Sequence, residues 1–262
     1  MLELKDLHKT FNPGTVNAKT ALDGLSLTLW DGEFVTVIGG NGAGKSTMLN
    51  AAGTLSVDSG EVHLDGVDVT DLPEYKRAAY IGRMFQDPMM GTAPSMHIEE
   101  NLALAARRGQ KRGLRWGITK AERERYRALL GDLGLGLETR LSSEVSTLSG
   151  GQRQALTLLM ATLKSPKLLL DEHTAALDPK TAAKVMALTD RIVTREKLTT
   201  LMITHNMRDA IQYGSRLVML HEGRVILDIS GEEKENLTVS DLLAQFARVS
   251  GDEFASDRAL LS

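Results

Sequence analysis

Short apolar segments alternate with helical patterns along most of the chain. Phe34–Ile38 is a continuous run rich in β-branched residues and is followed by glycine, which is typical of a strand buried on both faces. Leu168–Leu170 and Leu198–Thr204 have the same character. Because such strands alternate with helical segments, the sequence predicts an α/β fold with a parallel sheet.

The N-terminal part follows a different pattern. Leu2–Leu7, Leu25–Leu29 and Val62–Leu64 alternate apolar and polar residues, as a sheet with one buried face requires. Asp-Gly pairs at 23–24, 31–32 and 65–66 predict turns. We therefore expect an antiparallel sheet beside the parallel one.

From Ser95 to about Ser146 the pattern becomes helical. Ile98, Leu102 and Ala105 share one face at i+3/i+4 spacing, and Ser95 is placed to cap the helix that carries them. A helical region therefore interrupts the alternation of strands and helices.

Composition and charge restrict the class of protein. The 262 residues are 42% hydrophobic and 25% charged, which is typical of one folded domain or of a core with an inserted lobe. No apolar run approaches the ~18 residues of a membrane span, and the N-terminus lacks a signal-peptide pattern, so we expect a cytoplasmic chain. The absence of cysteine excludes disulfides and thiolate chemistry. A pI of 6.1 argues against a nucleic-acid partner.

A glycine-rich segment follows the strand Phe34–Ile38 and precedes a helical pattern. Glycines let backbone N–H groups turn toward an anion, and the start of a helix adds positive potential. In this pattern the lysine reaches the β- and γ-phosphates and the following hydroxyl ligates Mg²⁺, so we predict nucleotide binding by Lys45 and metal binding by Ser46. The residues of this predicted phosphate loop are Gly39, Gly40, Asn41, Gly42, Ala43, Gly44, Lys45, Ser46 and Thr47.

Two carboxylates end the strand at Leu168–Leu170. Asp171 lies at the strand tip, where phosphoryl-transfer sites hold Mg²⁺ directly or through water. Glu172 comes next and is placed to polarise the attacking water.

A second candidate anion site precedes the apolar segment Ala155–Leu163. Leu148–Gln152 reads LSGGQ, and a serine with two glycines at the start of a helix again presents backbone N–H groups to an anion. One nucleotide hardly needs two such sites from one chain. A dimer in which each copy's second site closes on its partner's phosphate explains both.

These segments, with three others, occur in the order found in the ATPases of ABC transporters. The chain resembles the nucleotide-binding subunits of ABC transporters over essentially its whole length. The motifs that carry the resemblance are Walker A at 39–47, Gln86 in FQDP, the LSGGQ signature at 148–152, Walker B at 168–172, the D-loop at 176–178 and His205 after a strand.

The resemblance implies a P-loop NTPase fold of ABC type, with a RecA-like parallel-sheet core, an antiparallel β subdomain and an inserted helical subdomain. One ABC domain would fill the chain. Residues 1–90 and 155–230 would form the core with the β subdomain, 91–154 the helical subdomain with the signature, and 231–262 a C-terminal tail.

The resemblance also implies roles for residues outside the phosphate loop. Phe11 would stack on adenine, Gln86 would contact Mg²⁺ and water, and His205 would bind the γ-phosphate. A core position for Phe11, a surface loop position for Gln86 and a structural role for His205 remain alternatives.

The remaining nucleotide contacts implied by the resemblance come from the signature and the D-loop. Ser149, Gly150, Gly151 and Gln152 would clasp the γ-phosphate across a dimer, with Asp178 beside them. Asp178 precedes Pro179, so it also fits the N-cap of a helix. His173 departs from the family pattern, which has proline there.

Three classes of protein compete for this set of motifs. They are a transporter ATPase with separate membrane subunits, a soluble ABC ATPase of the iron–sulfur assembly or DNA-repair type, and a P-loop kinase. Kinases lack LSGGQ, and the stretch from Gln86 to Ser149 is too short for the long coiled coil of DNA-repair forms. The assembly type and an exporter stay open beside an importer.

The segments FQDPMMGT and DEHTAALDP are similar in sequence to those of tryptophan/tyrosine-type importer ATPases. This similarity implies a homodimer of ATPase subunits that uses ATP and Mg²⁺ on the inner face of the cell membrane. It also implies transmembrane permease subunits and an extracytoplasmic solute-binding protein as partners.

Overall fold

The computed structural model describes residues 1–110 and 117–250. The chain forms two compact units. The first comprises Met1–Arg77 and the described chain from Lys197 onward, and the second comprises Ala78–Glu196. The predicted lobe at 91–154 thus lies inside the second unit, and its bounds stay a prediction.

The first unit contains the expected antiparallel sheet. Its strands are β1 (Leu2–Phe11), β2 (Lys19–Leu29), β4 (Ser59–Leu64) and β5 (Val67–Asp68), in the order β2-β1-β4-β5. The alternating leucines and Val62 turn inward and are buried, which is the reason for the alternation in the sequence.

One predicted turn in this sheet is wrong. Asp23-Gly24 lies inside β2, whereas the pairs at 31–32 and 65–66 do turn. The pairing with β1 shifts between Leu7↔Leu25 and His8↔Asp23, which leaves Gly24 as an extra residue with φ 72°. Gly24 therefore forms a β-bulge. A glycine in the left-handed region is compatible with a bulge as well as with a turn.

The first unit also carries a mixed sheet. β3 (Phe34–Gly39) lies between β8 (Thr199–Ile203) and β9 (Arg216–His221), parallel to both, and β10 (Arg224–Ser230) runs antiparallel to β9. Every residue of β3 and β8 is buried, as the continuous apolar runs predict. Two strands of the sheet lead directly into segments that carry predicted site residues: β3 is followed by the glycine-rich segment, and β8 by His205.

Five helices accompany the strands of the first unit. They are α1 (Lys45–Gly53), α2 (Glu74–Arg77), α7 (Met207–Gln212), α8 (Glu232–Glu235) and α9 (Val239–Ser250). Helix α1 follows β3, and α7 follows β8. The apolar face of α9 packs with Leu242 and Phe246 against the core around Met219.

The second unit combines a parallel strand pair with helices. β6 (Ile81–Met84) pairs with β7 (Lys167–Asp171), with Met84 opposite Leu170. Strand β7 consists of Lys167, three leucines and Asp171, and Lys167 is buried like the leucines that follow it. The helices are α3 (Ile98–Ala106), α4 (Lys120–Gly131), α5 (Gly150–Thr162) and α6 (Pro179–Glu196), with single 3₁₀ turns at Leu137–Thr139 and Val145–Thr147.

Helix α3 starts later than the sequence predicts. Its N-cap is His97 instead of Ser95, and the Glu100 side chain accepts a 2.7 Å hydrogen bond from the backbone N–H of His97. That carboxylate satisfies a donor at the helix start, so a serine cap is not needed. Ile98, Leu102 and Ala105 share the buried face, as predicted. Within the described residues, no helix has both the length and the apolar character needed to cross a membrane.

Candidate functional site

The predicted phosphate loop connects β3 to α1 in the first unit. Gly39 and Gly44 have φ of 152° and 97°, and Gly44 is the N-cap of α1. A Cβ atom on Gly39 would overlap the carbonyl oxygen of Leu220, and one on Gly44 would overlap that of Ala21. These two positions need glycine both for their φ angles and for the close approach of neighbouring backbone.

Lys45 places a positive charge inside this loop. Its Nζ atom donates hydrogen bonds to the carbonyl oxygens of Gly39, at 2.7 Å, and Gly40, at 3.0 Å, and the residue is 9% exposed. Ser46 follows on the first turn of α1 and is exposed. The loop thus combines a buried ammonium group, a helix start and an accessible hydroxyl, which together suit a phosphate with its metal ion.

An aromatic ring and a second ammonium group belong to the same unit. Phe11 ends β1 and is 39% exposed, so it is not the core residue that the alternative interpretation required. Lys19 pairs with it across the sheet, and its Nζ atom would lie 2.8 Å from a Cβ placed on Gly42. Sequence reasoning missed Lys19, because only the β1–β2 pairing brings it to the loop.

His205 follows β8 and is exposed. The next residue, Asn206, caps α7 by accepting hydrogen bonds from the backbone N–H groups of Arg208, at 2.9 Å, and Asp209, at 3.3 Å. Burial raises the pKa of Asp209, and the nearby His205 opposes that shift. Asp209 is therefore a carboxyl group close to His205, and no motif in the sequence identifies Asp209.

The second unit holds the strand-end carboxylates. Asp171 is the last residue of β7, and Glu172 has a φ of 45°, in the left-handed region that non-glycine residues rarely adopt. Such strain persists where the surrounding structure imposes it, often at functional sites. Gln86 is exposed two residues beyond β6, whose end lies beside that of β7. Gln86 and the carboxylates thus leave neighbouring strands at the same edge.

His173 immediately follows the strained glutamate and is 1% exposed. Its Nε2 atom lies 3.1 Å from Oγ1 of Thr189 on α6, and its backbone carbonyl accepts a hydrogen bond from Gln154 on α5. Burial lowers the pKa of His173 to about 4, so the ring is neutral at pH 7. The residue after Glu172 is therefore held to two helices, to α6 through its ring and to α5 through its backbone carbonyl.

The signature segment starts α5 through reciprocal hydrogen bonds. Ser149 is the N-cap, and its hydroxyl oxygen accepts from the backbone N–H of Gln152 at 3.3 Å. The Gln152 side chain in turn accepts from the N–H of Ser149 at 3.2 Å and donates to the carbonyl of Leu135 at 3.2 Å. This capping box fixes the first turn of the helix and leaves Ser149 exposed.

The two signature glycines let α5 approach the start of α6. A Cβ atom on Gly151 would overlap Thr181, and one on Gly150 would lie 3.1 Å from Leu177. Asp178, the residue before α6, caps this helix by accepting a 3.1 Å hydrogen bond from the backbone N–H of Thr181, as predicted. A cavity of about 600 Å³ opens here, lined by residues that include Ser149, Gly151, Gln152, Thr181, Lys184 and Arg191.

The oxygen donors present fit a magnesium ion that arrives with a nucleotide. Among the described residues, no group of three or more histidine, cysteine, aspartate or glutamate side chains could hold a metal. Mg²⁺ usually takes one or two protein oxygens and completes its shell with phosphate oxygens and water. The Ser46 hydroxyl and the Asp171 carboxylate are donors of that kind, each beside a segment suited to phosphate chemistry.

The phosphate loop and the strand-end carboxylates define a P-loop ATPase, and the comparisons with known proteins identify the family. The sequence pattern of the family described as ABC transporter matches residues 22–175. This chain belongs to the ABC transporter family and is one of its ATPases. The expected ABC-type fold and ATPase class are thereby confirmed, whereas the roles of individual residues stay predictions.

Relatives at several levels of similarity agree with this assignment. The tyrosine transport ATP-binding protein of Clostridioides difficile strain R20291 is 49% identical over 248 residues, which cover 94% of this chain and 98% of that protein. The methionine import ATP-binding protein of Bartonella henselae strain Houston 1 is 35% identical over 86% of this chain and 64% of its own length. A dimeric post-hydrolysis structure of the ATP-binding cassette MJ0796, bound to ADP and phosphate, matches with TM-score 0.75 at 31% identity, covering 88% of this chain and 98% of that one.

The buried His173 makes stability depend on pH. Its ordinary pKa of 6.5 falls to about 4 on folding, so between these values the unfolded chain binds a proton that the folded chain does not. His173→Gln removes this titration and keeps an amide group able to reach Thr189. From pH 7 to pH 5 the free energy of unfolding of the wild type should fall by about 2 kcal/mol more than that of the variant. Urea unfolding at a series of pH values measures this difference, and parallel curves for the two proteins would contradict it.

Proposed function

We propose that this ATPase works as a homodimer that binds two MgATP and powers the import of an aromatic amino acid through separate membrane subunits. One observation carries the proposal: the chain has two glycine-containing helix starts, at Gly39–Thr47 and Ser149–Gln152, each built to face an anion. A single bound triphosphate needs only the first. The second is then available to a nucleotide held by another copy.

The first unit supplies groups that would hold the nucleotide. Lys45 would exchange its two carbonyl partners for phosphate oxygens, because a charged acceptor binds an ammonium group more strongly than a neutral carbonyl does. The exposed ring of Phe11 would stack on adenine. Lys19, beside Gly42, would add positive charge along the phosphates.

Oxygen-bearing side chains would order the metal and the water. Ser46, Asp171 and Gln86 would hold Mg²⁺, which neutralises charge on the β- and γ-phosphate oxygens. Glu172 would orient the attacking water and accept its proton. His205 would donate a hydrogen bond to the γ-phosphate as its charge develops.

The signature would complete the site of the partner copy. Ser149 and the N–H groups of Gly150 and Gly151 would bind the γ-phosphate, with Gln152 fixing the helix start and Asp178 beside it. The dimeric, ADP- and phosphate-bound state of the MJ0796 cassette supports the proposed dimer. Closing two copies around two nucleotides would drive the membrane subunits, and hydrolysis would release them.

The names of two relatives support the proposed solute. The B. henselae protein is named for methionine import and the C. difficile protein for tyrosine transport, so an amino acid, and specifically an aromatic one, is the solute class we assign. Permease subunits would span the membrane, with this chain on their cytoplasmic side. An extracytoplasmic solute-binding protein would deliver the amino acid.

The variant Glu172→Gln tests the role of the glutamate. The amide keeps the size of the side chain but accepts no proton, so turnover should fall at least 100-fold (a general-base contribution of about 10²–10⁴) while ATP still binds. The unhydrolysed nucleotide should then hold the dimer together. Phosphate release and light scattering with ATP measure both effects.

Two further variants make this test specific. Glu235→Gln removes a comparable charge from an exposed position on α8 and should leave turnover unchanged. Ser149→Arg in the Glu172→Gln background should prevent the dimer while each copy still binds ATP. If Glu172→Gln kept wild-type turnover, the assignment of the base would be wrong.

The solute is tested by transport. The membrane subunits that co-purify with the chain should be reconstituted with it in proteoliposomes, oriented so that ATP reaches the chain and with the solute-binding protein on the other side. Labelled tyrosine or tryptophan should move toward the ATP side, and Lys45→Ala should abolish this movement. Movement of a different solute class, or movement away from the ATP side, would contradict the proposed import of an aromatic amino acid.

A further inference from the structure

A basic residue outside the recognised motifs lies beside the strand-end aspartate. Arg83 is on β6, paired in register with Leu169 of the parallel neighbour β7. Its Nη2 atom is 3.6 Å from Oδ2 of Asp171, and the two side chains are only 14% and 15% exposed. Its guanidinium carbon lies 4.5 Å from the centre of the Phe85 ring. The same side chain therefore contacts the aspartate and the residue that precedes Gln86.

The geometry of this pair favours an exchangeable contact. The 3.6 Å between Nη2 and Oδ2 is longer than a hydrogen bond, so charge attraction is what this contact contributes. Because both groups are mostly shielded from water, that attraction is stronger than between exposed side chains. The stacking of the guanidinium on Phe85 keeps the charge in place whether or not Asp171 is engaged.

We propose that Arg83 is a positioning residue that keeps free divalent cations away from Asp171 and so makes metal binding depend on ATP. This inference rests on the proposed role of Asp171 as a metal ligand. Without nucleotide, the guanidinium group neutralises the carboxylate and repels a cation near it. The negative charges of the ATP phosphates offset that repulsion, so the metal ion enters together with the nucleotide.

The alternative for Arg83 is a purely structural role beneath Phe85. The two roles differ in what a neutral side chain would do. Arg83→Met keeps an unbranched, apolar stem against Phe85 but removes the charge, which leaves the carboxylate of Asp171 without this counter-ion. Arg83→Lys keeps the charge and loses only the planar stacking.

Mn²⁺ binding in the absence of nucleotide distinguishes the proposed role of Arg83 from a purely structural one. Free Mn²⁺ is followed by electron paramagnetic resonance in titrations of the full chain. Arg83→Met should bind Mn²⁺ at least threefold more tightly than the wild type, and Arg83→Lys should stay close to the wild type. The gain should vanish in the double variant Arg83→Met/Asp171→Asn, because the inferred effect acts through that carboxylate.

Equal Mn²⁺ affinity in the wild type and Arg83→Met would overturn the inference, as would a gain that survives in the double variant. If Arg83→Met does not fold, judged by circular dichroism, Arg83→Gln gives the same comparison. Binding of labelled ATP by the wild type is measured separately. A wild type that does not bind ATP would contradict the proposed function. A wild type that binds ATP, with the same Mn²⁺ affinity as Arg83→Met, would contradict only the role of Arg83.

Discussion

The buried charge of Lys45 is the constraint on which the phosphate loop depends. A buried ammonium ion needs hydrogen-bond acceptors, and two of them are the carbonyl oxygens of Gly39 and Gly40 in the same loop. The loop can close around the charge only because glycine at 39 and 44 allows the required φ angles and the approach of Leu220. A cation is thus already in position at the start of α1, so in the proposed role an arriving phosphate would not have to order this lysine.

The second helix start is organised by different means. Ser149 and Gln152 satisfy each other in a capping box, and Gly151 lets α5 pack closely against Thr181 on α6. The same helix contacts the residue after Glu172, because Gln154 donates to the carbonyl of His173. Within the second unit, contacts of α5 therefore connect the signature with the residue that follows the proposed general base.

Residue order along the chain was enough to predict the elements that carry chemistry, since each motif follows a buried strand or starts a helix. Residue order could not predict side chains that strand pairing brings to a site. Lys19 reaches its site through the pairing of β1 with β2, and Arg83 through that of β6 with β7. Two predictions were wrong, the turn at Asp23-Gly24 and the helix cap at Ser95, because each local pattern fits two structures. An Asp-Gly pair is compatible with the bulge at Gly24 as well as with a turn, and Glu100 allows α3 to start after His97.

In the proposed dimer each copy's signature serves its partner's nucleotide, and mixing two defective chains tests this arrangement most directly. In the Glu172→Gln background, one chain also carries Lys45→Ala and the other Ser149→Arg. Neither forms a stable dimer alone on this account, but the mixture restores one complete site from the loop of one chain and the signature of the other. Size exclusion with labelled ATP should show a mixed dimer with one nucleotide. Only monomers in the mixture, with both chains folded, would contradict the claim.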